Sequence, residues 1–137
     1  VEGISNTAFT KDYQNYVFKF SFDFINQKAL NQAIKTLTSK NERIGEVVSY
    51  SYSEGEFSRK FSKSLLDKFS SQSSMITLLG LHEGTYTSVY KFEKPVLKSS
   101  SKATTISSSK KSTFTKHKIN DFIIDPKQSN LIISLEQ

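Results

Sequence analysis

The sequence 16-YVFKFSFDF-24 decides the fold class, because aromatic and polar residues alternate along most of its length. One face carries Tyr16, Phe18, Phe20, Phe22 and Phe24. The other face carries Val17, Lys19, Ser21 and Asp23. A period of two with one apolar face predicts a half-buried β-strand, and a sheet that is wet on one side is usually antiparallel or mixed. We therefore expect this phenylalanine row to lie in the core, beneath helices.

Two amphipathic helices are predicted on the C-terminal side of this strand. The first spans 26–40, with Asn26 as its N-cap and Asn41 as its left-handed terminator. Its apolar face consists of Ala29, Leu30, Ala33, Ile34 and Leu37. The second helix is predicted from the four-residue spacing of Phe57, Phe61, Leu65 and Phe69. Ser53 and Glu56 stand just before it with the spacing of a capping box.

Further strands complete the predicted sheet. Period-two patterns and short β-prone runs predict strands at 45–52, 75–79, 85–92, 118–124 and 131–135. Residues 1–12 read as a lead-in or a short edge strand, and the glycines at both ends of 80–84 predict a hairpin loop. The chain is predicted to be one α+β domain over 1–137. Its architecture is predicted as a two-layer sandwich, a mainly antiparallel sheet of about five or six strands with two amphipathic helices on one face.

Residues 94–120, which we call the basic arm, read KPVLKSSSKATTISSSKKSTFTKHKIN. They contain seven lysines, one histidine and no acidic residue, in a chain whose formal charge is +6. The rest of the chain is nearly neutral, with twelve basic and thirteen acidic residues. The sequence therefore predicts a neutral body that carries one strongly positive, Ser/Lys-rich segment.

The basic arm is predicted to form a long β-ribbon, since its Val, Ile, Thr and Phe residues favour strand and long structureless loops are uncommon in compact domains. The ribbon strands are placed near 85–105 and 112–124, with a tip near 107–111. The alternative is a flexible loop held by a partner. The predicted contacts with a partner or polyanion are Lys98, Lys102, Lys110, Lys111, Phe114, Lys116, His117 and Lys118.

The sequence offers little support for enzyme chemistry. There are no cysteines and two histidines, and no metal-binding, serine-nucleophile or phosphate-loop motif is present. His82 is interpreted as a loop residue and His117 as part of the basic segment. The carboxylate pairs Glu54/Glu56 and Asp121/Asp125 are interpreted as structural residues, with Glu56 in the capping box and Asp125 before a turn proline. We predict a protein that is not an enzyme and that has no cofactor or metal site.

The first functional hypothesis is a non-enzymatic interaction or assembly module that docks to a protein partner through strand edges and the basic arm. The alternative is a nucleic-acid-binding protein that uses Lys94–Asn120, with lysines on phosphates and Phe114 stacked on a base. The lack of arginine in the arm counts against base reading. An anionic membrane surface and a merely solubilising ribbon are further interpretations. No apolar run approaches the roughly 18 residues of a membrane span, and the sequence assigns no compartment.

Overall fold

A computed structural model of the protein describes residues 2–15, 17–38 and 48–137. The strands are β1 (Ile4–Asp12), β2 (Val17–Phe24), β3 (Val48–Ser53), β4 (Glu56–Phe61), β5 (Thr85–Lys91), β6 (Val96–Ser99), β7 (Thr104–Ile106), β8 (Ser112–Lys118) and β9 (Leu131–Leu135). The helices are α1 (Gln27–Thr38), α2 (Lys63–Ser71), α3 (Ser73–Leu78) and α4 (Ile119–Ile124). Two 3₁₀ turns span Leu81–Glu83 and Pro126–Ser129. The predicted α+β class is confirmed.

The described strands form three antiparallel sheets: β1-β2, β3-β4-β9-β6 and β5-β8-β7. The second and third sheets meet through their inner faces, where the Tyr50 and Tyr90 hydroxyls lie 2.8 Å apart and the Phe57 ring contacts Tyr90. The predicted two-layer sandwich with one sheet of about five or six strands is not confirmed, because the strands divide among these sheets.

Helix α1 follows the prediction closely. The Asn26 side chain accepts a hydrogen bond from the Ala29 backbone amide at 2.9 Å, as an N-cap does. Ala29, Leu30 and Ala33 are buried, and Leu30 belongs to the core cluster. The predicted end of this helix and its terminator Asn41 lie outside the described residues. Amphipathic spacing and a cap agree here, so the local signal sufficed.

The second helix was predicted to begin earlier in the chain than it does in the structure. Glu54 and Gly55 have φ angles of 53° and 78°, which form a tight β-hairpin turn between β3 and β4 instead of a capping box. Phe57 and Phe61 are buried because both lie on the inward face of strand β4. Helix α2 starts only at Lys63. Its N-cap is Ser62, whose hydroxyl accepts from the Leu65 amide at 3.2 Å. Residues two and four apart share a face in a strand, so the spacing fitted both structures.

Two short apolar runs form helices where strands were predicted. Residues 75–79 lie mostly in α3, and residues 119–124 form α4. Runs of this length show too few periods to separate strand from helix. The predicted hairpin loop at 80–84 contains a 3₁₀ turn that leads into β5. The strand predicted at 131–135 is β9, and residues 45–47 of the strand predicted at 45–52 lie outside the described residues.

The phenylalanine row lies on one face of the β1-β2 hairpin, and only its C-terminal end reaches the core. Phe22 and Phe24 pack against the core cluster, whereas Phe18 is 57% exposed and Phe20 is also exposed. The predicted lead-in is strand β1, which carries Phe9 opposite Phe20. The expectation that the whole row lies in the core beneath two helices is therefore wrong. Tyr16 is outside the described residues.

Within residues 2–15, 17–38 and 48–137, no helix is long and apolar enough to cross a membrane.

Candidate functional site

The strands of the basic arm belong to two different sheets. Strand β8 lies between β5 and β7, so that Phe114 stands opposite Val89 on one side and opposite Thr105 on the other. The tip is a tight turn at 107–112, where the Ser107 amide donates to the Ser112 carbonyl at 3.0 Å. Strand β6 instead leaves the ribbon and pairs with β9 in the other sheet. A separate projecting arm is therefore not confirmed.

Alternation along β8 separates its residues into two sets. Thr113, Thr115 and His117 point inward and are buried. Phe114, Lys116 and Lys118 point outward and are exposed. Only every second residue of a strand reaches a given face, so three of the four predicted contacts in this strand, all but His117, remain available to a partner.

We call the outward surface of β5 and β8 the basic face. From β5 it includes Thr85, Thr87, Val89 and Lys91, all exposed. From β8 it includes Phe114, Lys116 and Lys118. Neither these two strands nor β7 contains an acidic residue. The charged side chains that these strands contribute to the face are therefore all positive.

The charges of the basic face flank an apolar centre. Val89 and Phe114 are cross-strand partners and are 53% and 45% exposed. Lys91 lies at one end, near the turn that carries Lys110 and Lys111. At the other end, Lys116 and Lys118 stand opposite Thr87 and Thr85. Lys118 also meets Glu83 at 3.3 Å, an exposed ion pair of small energetic value.

The remaining predicted contacts do not join this face. Lys98 lies on β6, opposite Ser134 of the four-stranded sheet. Lys102 lies in the turn between β6 and β7. His117 is 5% exposed and faces inward, where its ring packs against Phe122 at 5.2 Å. His117 is therefore not a surface contact, because its strand position points it into the interior.

An open cleft of about 540 Å³ lies beside His117, and its lining residues include Lys102, Asp121, Asp125 and Lys127. His117 Nδ1 lies 3.3 Å from Asp121 Oδ2, the arrangement of a base and its orienting carboxylate. However, His117 Nε2 has neither solvent contact nor a hydrogen-bond partner among the described residues. In this conformation it cannot take a proton from a bound molecule.

The carboxylates of the cleft hold local backbone. Asp121 Oδ2 accepts from the Lys118 amide at 3.0 Å at the start of α4, and Asp125 Oδ1 accepts from the Lys127 amide at 3.2 Å. The turn position of Asp125 was predicted, whereas the capping role of Asp121 was not, because residues 118–124 were predicted to form a strand. In the part of the chain that the structure describes, no three His, Asp or Glu residues are grouped to hold a metal ion. His82 pairs with Glu83 at 3.3 Å.

A buried arginine lies against the inner side of the β5-β8-β7 sheet. Arg59 of β4 is 1% exposed, and its guanidinium donates to the Ser88 hydroxyl at 2.8 Å and to the Ser129 carbonyl at 3.1 Å. It also lies over the rings of Phe61 and Tyr86. Ser88 is part of β5, so Arg59 joins the two larger sheets. The helix predicted from Phe57, Phe61, Leu65 and Phe69 would have left Arg59 on its outer face; the turn residues Glu54 and Gly55 were the available clue to a strand.

Two tyrosines between the sheets resist ionisation. Burial raises the pKa of Tyr86 to about 12, and burial together with the neighbouring Tyr90 raises the pKa of Tyr50 still further. In both cases the neutral phenol is favoured in the folded protein, while the unfolded chain ionises near pH 10.

We expect stability to fall as pH rises above about 10, because the unfolded state then releases phenolic protons that the folded state keeps. The loss linked to Tyr86 alone should reach about 2–3 kcal/mol near pH 12. Urea titrations across this range, followed by circular dichroism, measure it. Tyr86→Phe should have a shallower dependence on pH than the parent protein. An equal slope in both proteins would contradict the assignment to Tyr86.

Comparisons with protein-family models, with curated proteins and with solved structures find no match to this chain.

Proposed function

We propose that this protein is a non-enzymatic interaction module that docks onto an acidic protein partner through the basic face. The observation that supports the proposal is the exposed, acid-free surface of β5 and β8, with Val89 and Phe114 between lysines. Charge of a single sign steers an oppositely charged partner, and an exposed apolar centre adds area to bury. The strand edges of the same sheet provide the second element of docking.

Nucleic acid is the alternative partner, and Phe114 is the observation in its favour. An exposed aromatic ring between lysines resembles the stacking surfaces of single-strand binders. However, the basic face presents one aromatic ring and no arginine, whereas such surfaces stack several bases. An acidic protein segment needs neither feature, so we favour it. An anionic membrane surface would be attracted by the lysines as well, but the face presents no cluster of exposed aliphatic anchors.

The proposal predicts a charge-dependent affinity for acidic polypeptide. The variant Lys91→Gln/Lys116→Gln/Lys118→Gln should bind labelled poly-glutamate about tenfold more weakly than the parent, because each exposed pair contributes a few tenths to one kcal/mol. Fluorescence anisotropy at about 50 mM and 200 mM salt measures the affinity and its screening. The basic-face variant should also show the weaker salt dependence.

The matched control is Lys60→Gln/Lys98→Gln/Lys127→Gln, which removes the same number of exposed lysines from elsewhere on the surface. It should stay within about twofold of the parent. Equal losses in both variants, or no binding by the parent at low salt, would overturn the proposal. If an oligothymidylate binds more tightly than poly-glutamate and depends on the same three lysines, the partner class is nucleic acid instead.

A further inference from the structure

Strand β5 presents an unpaired edge beside the basic face. In the described structure the order of the sheet is β5-β8-β7, so β5 pairs on one side only. By contrast, the outer edge of β3 is covered, since the Asn31 side chain donates to the Tyr50 carbonyl and accepts from the Tyr50 amide, both at 2.7 Å. An uncovered edge is a template for pairing with another strand.

The register shows which backbone groups of β5 point outward. The Phe92 amide donates to the Lys111 carbonyl, and the Ile119 amide donates to the Gly84 carbonyl, each at 2.8 Å. These bonded pairs lie in the same register as β5 and β8, and bonded pairs alternate along an antiparallel ladder. Even-numbered residues of β5 therefore bond to β8. The amides and carbonyls of the odd-numbered residues face the open edge.

The outward-facing backbone and the basic face belong to the same residues. Thr85, Thr87, Val89 and Lys91 direct their side chains to the basic face and their backbone groups to the free edge. A strand added here places every second side chain on the basic face, about 6.5–7 Å apart. The lysines at 116 and 118 repeat at the same spacing one strand away.

We propose that the partner is an extended acidic segment that adds to β5 as a new antiparallel strand. This inference rests on the proposed docking function. Antiparallel pairing matches every pairing that the described sheets contain. The face specifies the pattern of the segment. The segment has an acidic side chain opposite Lys91 and an apolar one opposite Val89. It has acidic side chains opposite Thr87 and Thr85, where they are within reach of Lys116 and Lys118. Its pattern is therefore acidic-x-apolar-x-acidic-x-acidic.

The pattern can be tested with synthetic peptides and the whole chain. A labelled peptide Glu-Thr-Val-Thr-Glu-Thr-Glu should bind about tenfold more tightly than Glu-Glu-Glu-Thr-Val-Thr-Thr, which has the same composition but no alternation. Methylation of the amide nitrogens of its valine and of the glutamate two residues later should weaken binding about tenfold, because these amides bond to the edge of β5. Fluorescence anisotropy is the measurement.

A variant of the edge tests the same contact from the protein side. Thr87→Pro removes an amide that faces the open edge, a position at which edge strands tolerate proline. We expect about a tenfold loss of peptide affinity, against a change within about twofold for Thr87→Ala. The methylated peptide keeps the test decisive if Thr87→Pro fails to fold, since it is measured on the parent protein.

The outcomes separate strand addition from docking by charge alone. If methylation, scrambling and Thr87→Pro leave affinity unchanged while Lys91→Gln/Lys116→Gln/Lys118→Gln weakens it, strand addition is overturned and the basic face still docks acidic protein. If neither acidic peptide nor poly-glutamate binds the parent protein, both proposals fail together.

Discussion

Arg59→Ala is expected to lower the free energy of unfolding by about 3–5 kcal/mol, the largest effect that the structure predicts for a single polar residue. The guanidinium is almost wholly buried and bonds to Ser88 and Ser129, which lie on different elements. Its removal leaves the Ser129 carbonyl without this donor and opens a cavity between the two sheets. Urea denaturation followed by circular dichroism measures the loss.

Arg59 has an unusual environment for a buried charge. No ion pair within residues 2–15, 17–38 and 48–137 includes it, so its neighbours are a hydroxyl, a carbonyl and the rings of Phe61 and Tyr86. Desolvation of a charge is costly, and a well-packed apolar residue often replaces a buried charge at little cost. Arg59→Met should therefore recover part of the stability lost in Arg59→Ala.

Lys60→Ala is the matched control for Arg59, because Lys60 is the next residue of β4 and is exposed. It should change stability by less than about 0.5 kcal/mol. A similar loss in Lys60→Ala and Arg59→Ala would mean that β4 is sensitive to substitution in general. A loss below about 1 kcal/mol in Arg59→Ala would contradict the sheet-joining role.

Phe122→Ala is expected to lower the free energy of unfolding by about 3–5 kcal/mol, the usual range for deleting a buried phenylalanine. Phe122 of α4 is 1% exposed. Its ring contacts Phe61, Phe69, Tyr86 and His117, with centroid distances of 5.2, 6.3, 6.1 and 5.2 Å. These rings come from β4, α2, β5 and β8, so one side chain holds four elements together.

Two further variants sharpen the Phe122 experiment. Phe122→Leu keeps most of the volume and should cost about 1–2 kcal/mol. Ile124→Ala, on the same helix but 74% exposed, should cost less than about 0.5 kcal/mol. Denaturation midpoints at equal slope give the comparison. If Ile124→Ala proves as damaging as Phe122→Ala, α4 is sensitive to truncation in general and the loss is not specific to the ring contacts of Phe122.

Local patterns predicted those elements in which several signals agree. Helix α1 has an N-cap and one apolar face, and β9 is a short β-prone run bounded by a turn. The prediction for residues 53–61 was wrong because the spacing of Phe57 and Phe61 fits both a helical and a strand period. The turn at Glu54-Gly55 settled the choice in favour of a hairpin, as its positive φ angles show.

The sequence indicated some residues of the candidate site but not which of them share a face. The concentration of lysine in 94–120 is a fact of composition, and it led to the prediction of Phe114, Lys116 and Lys118, which the structure leaves exposed on the basic face. Composition does not say which residues share a face. Lys91, outside the basic arm, joined the face through the pairing of β5 with β8, while Lys98 lies on another sheet.

By itself the sequence determined the α+β class, the first helix and the location of the positive charge, because these follow from periodicity, capping and composition within short windows. Only the tertiary structure decided which strands pair, that Arg59 is buried between sheets, and that the phenylalanine row is exposed over half its length. Pairing and burial join residues far apart in the chain, and the register between two strands selects the face that each side chain reaches.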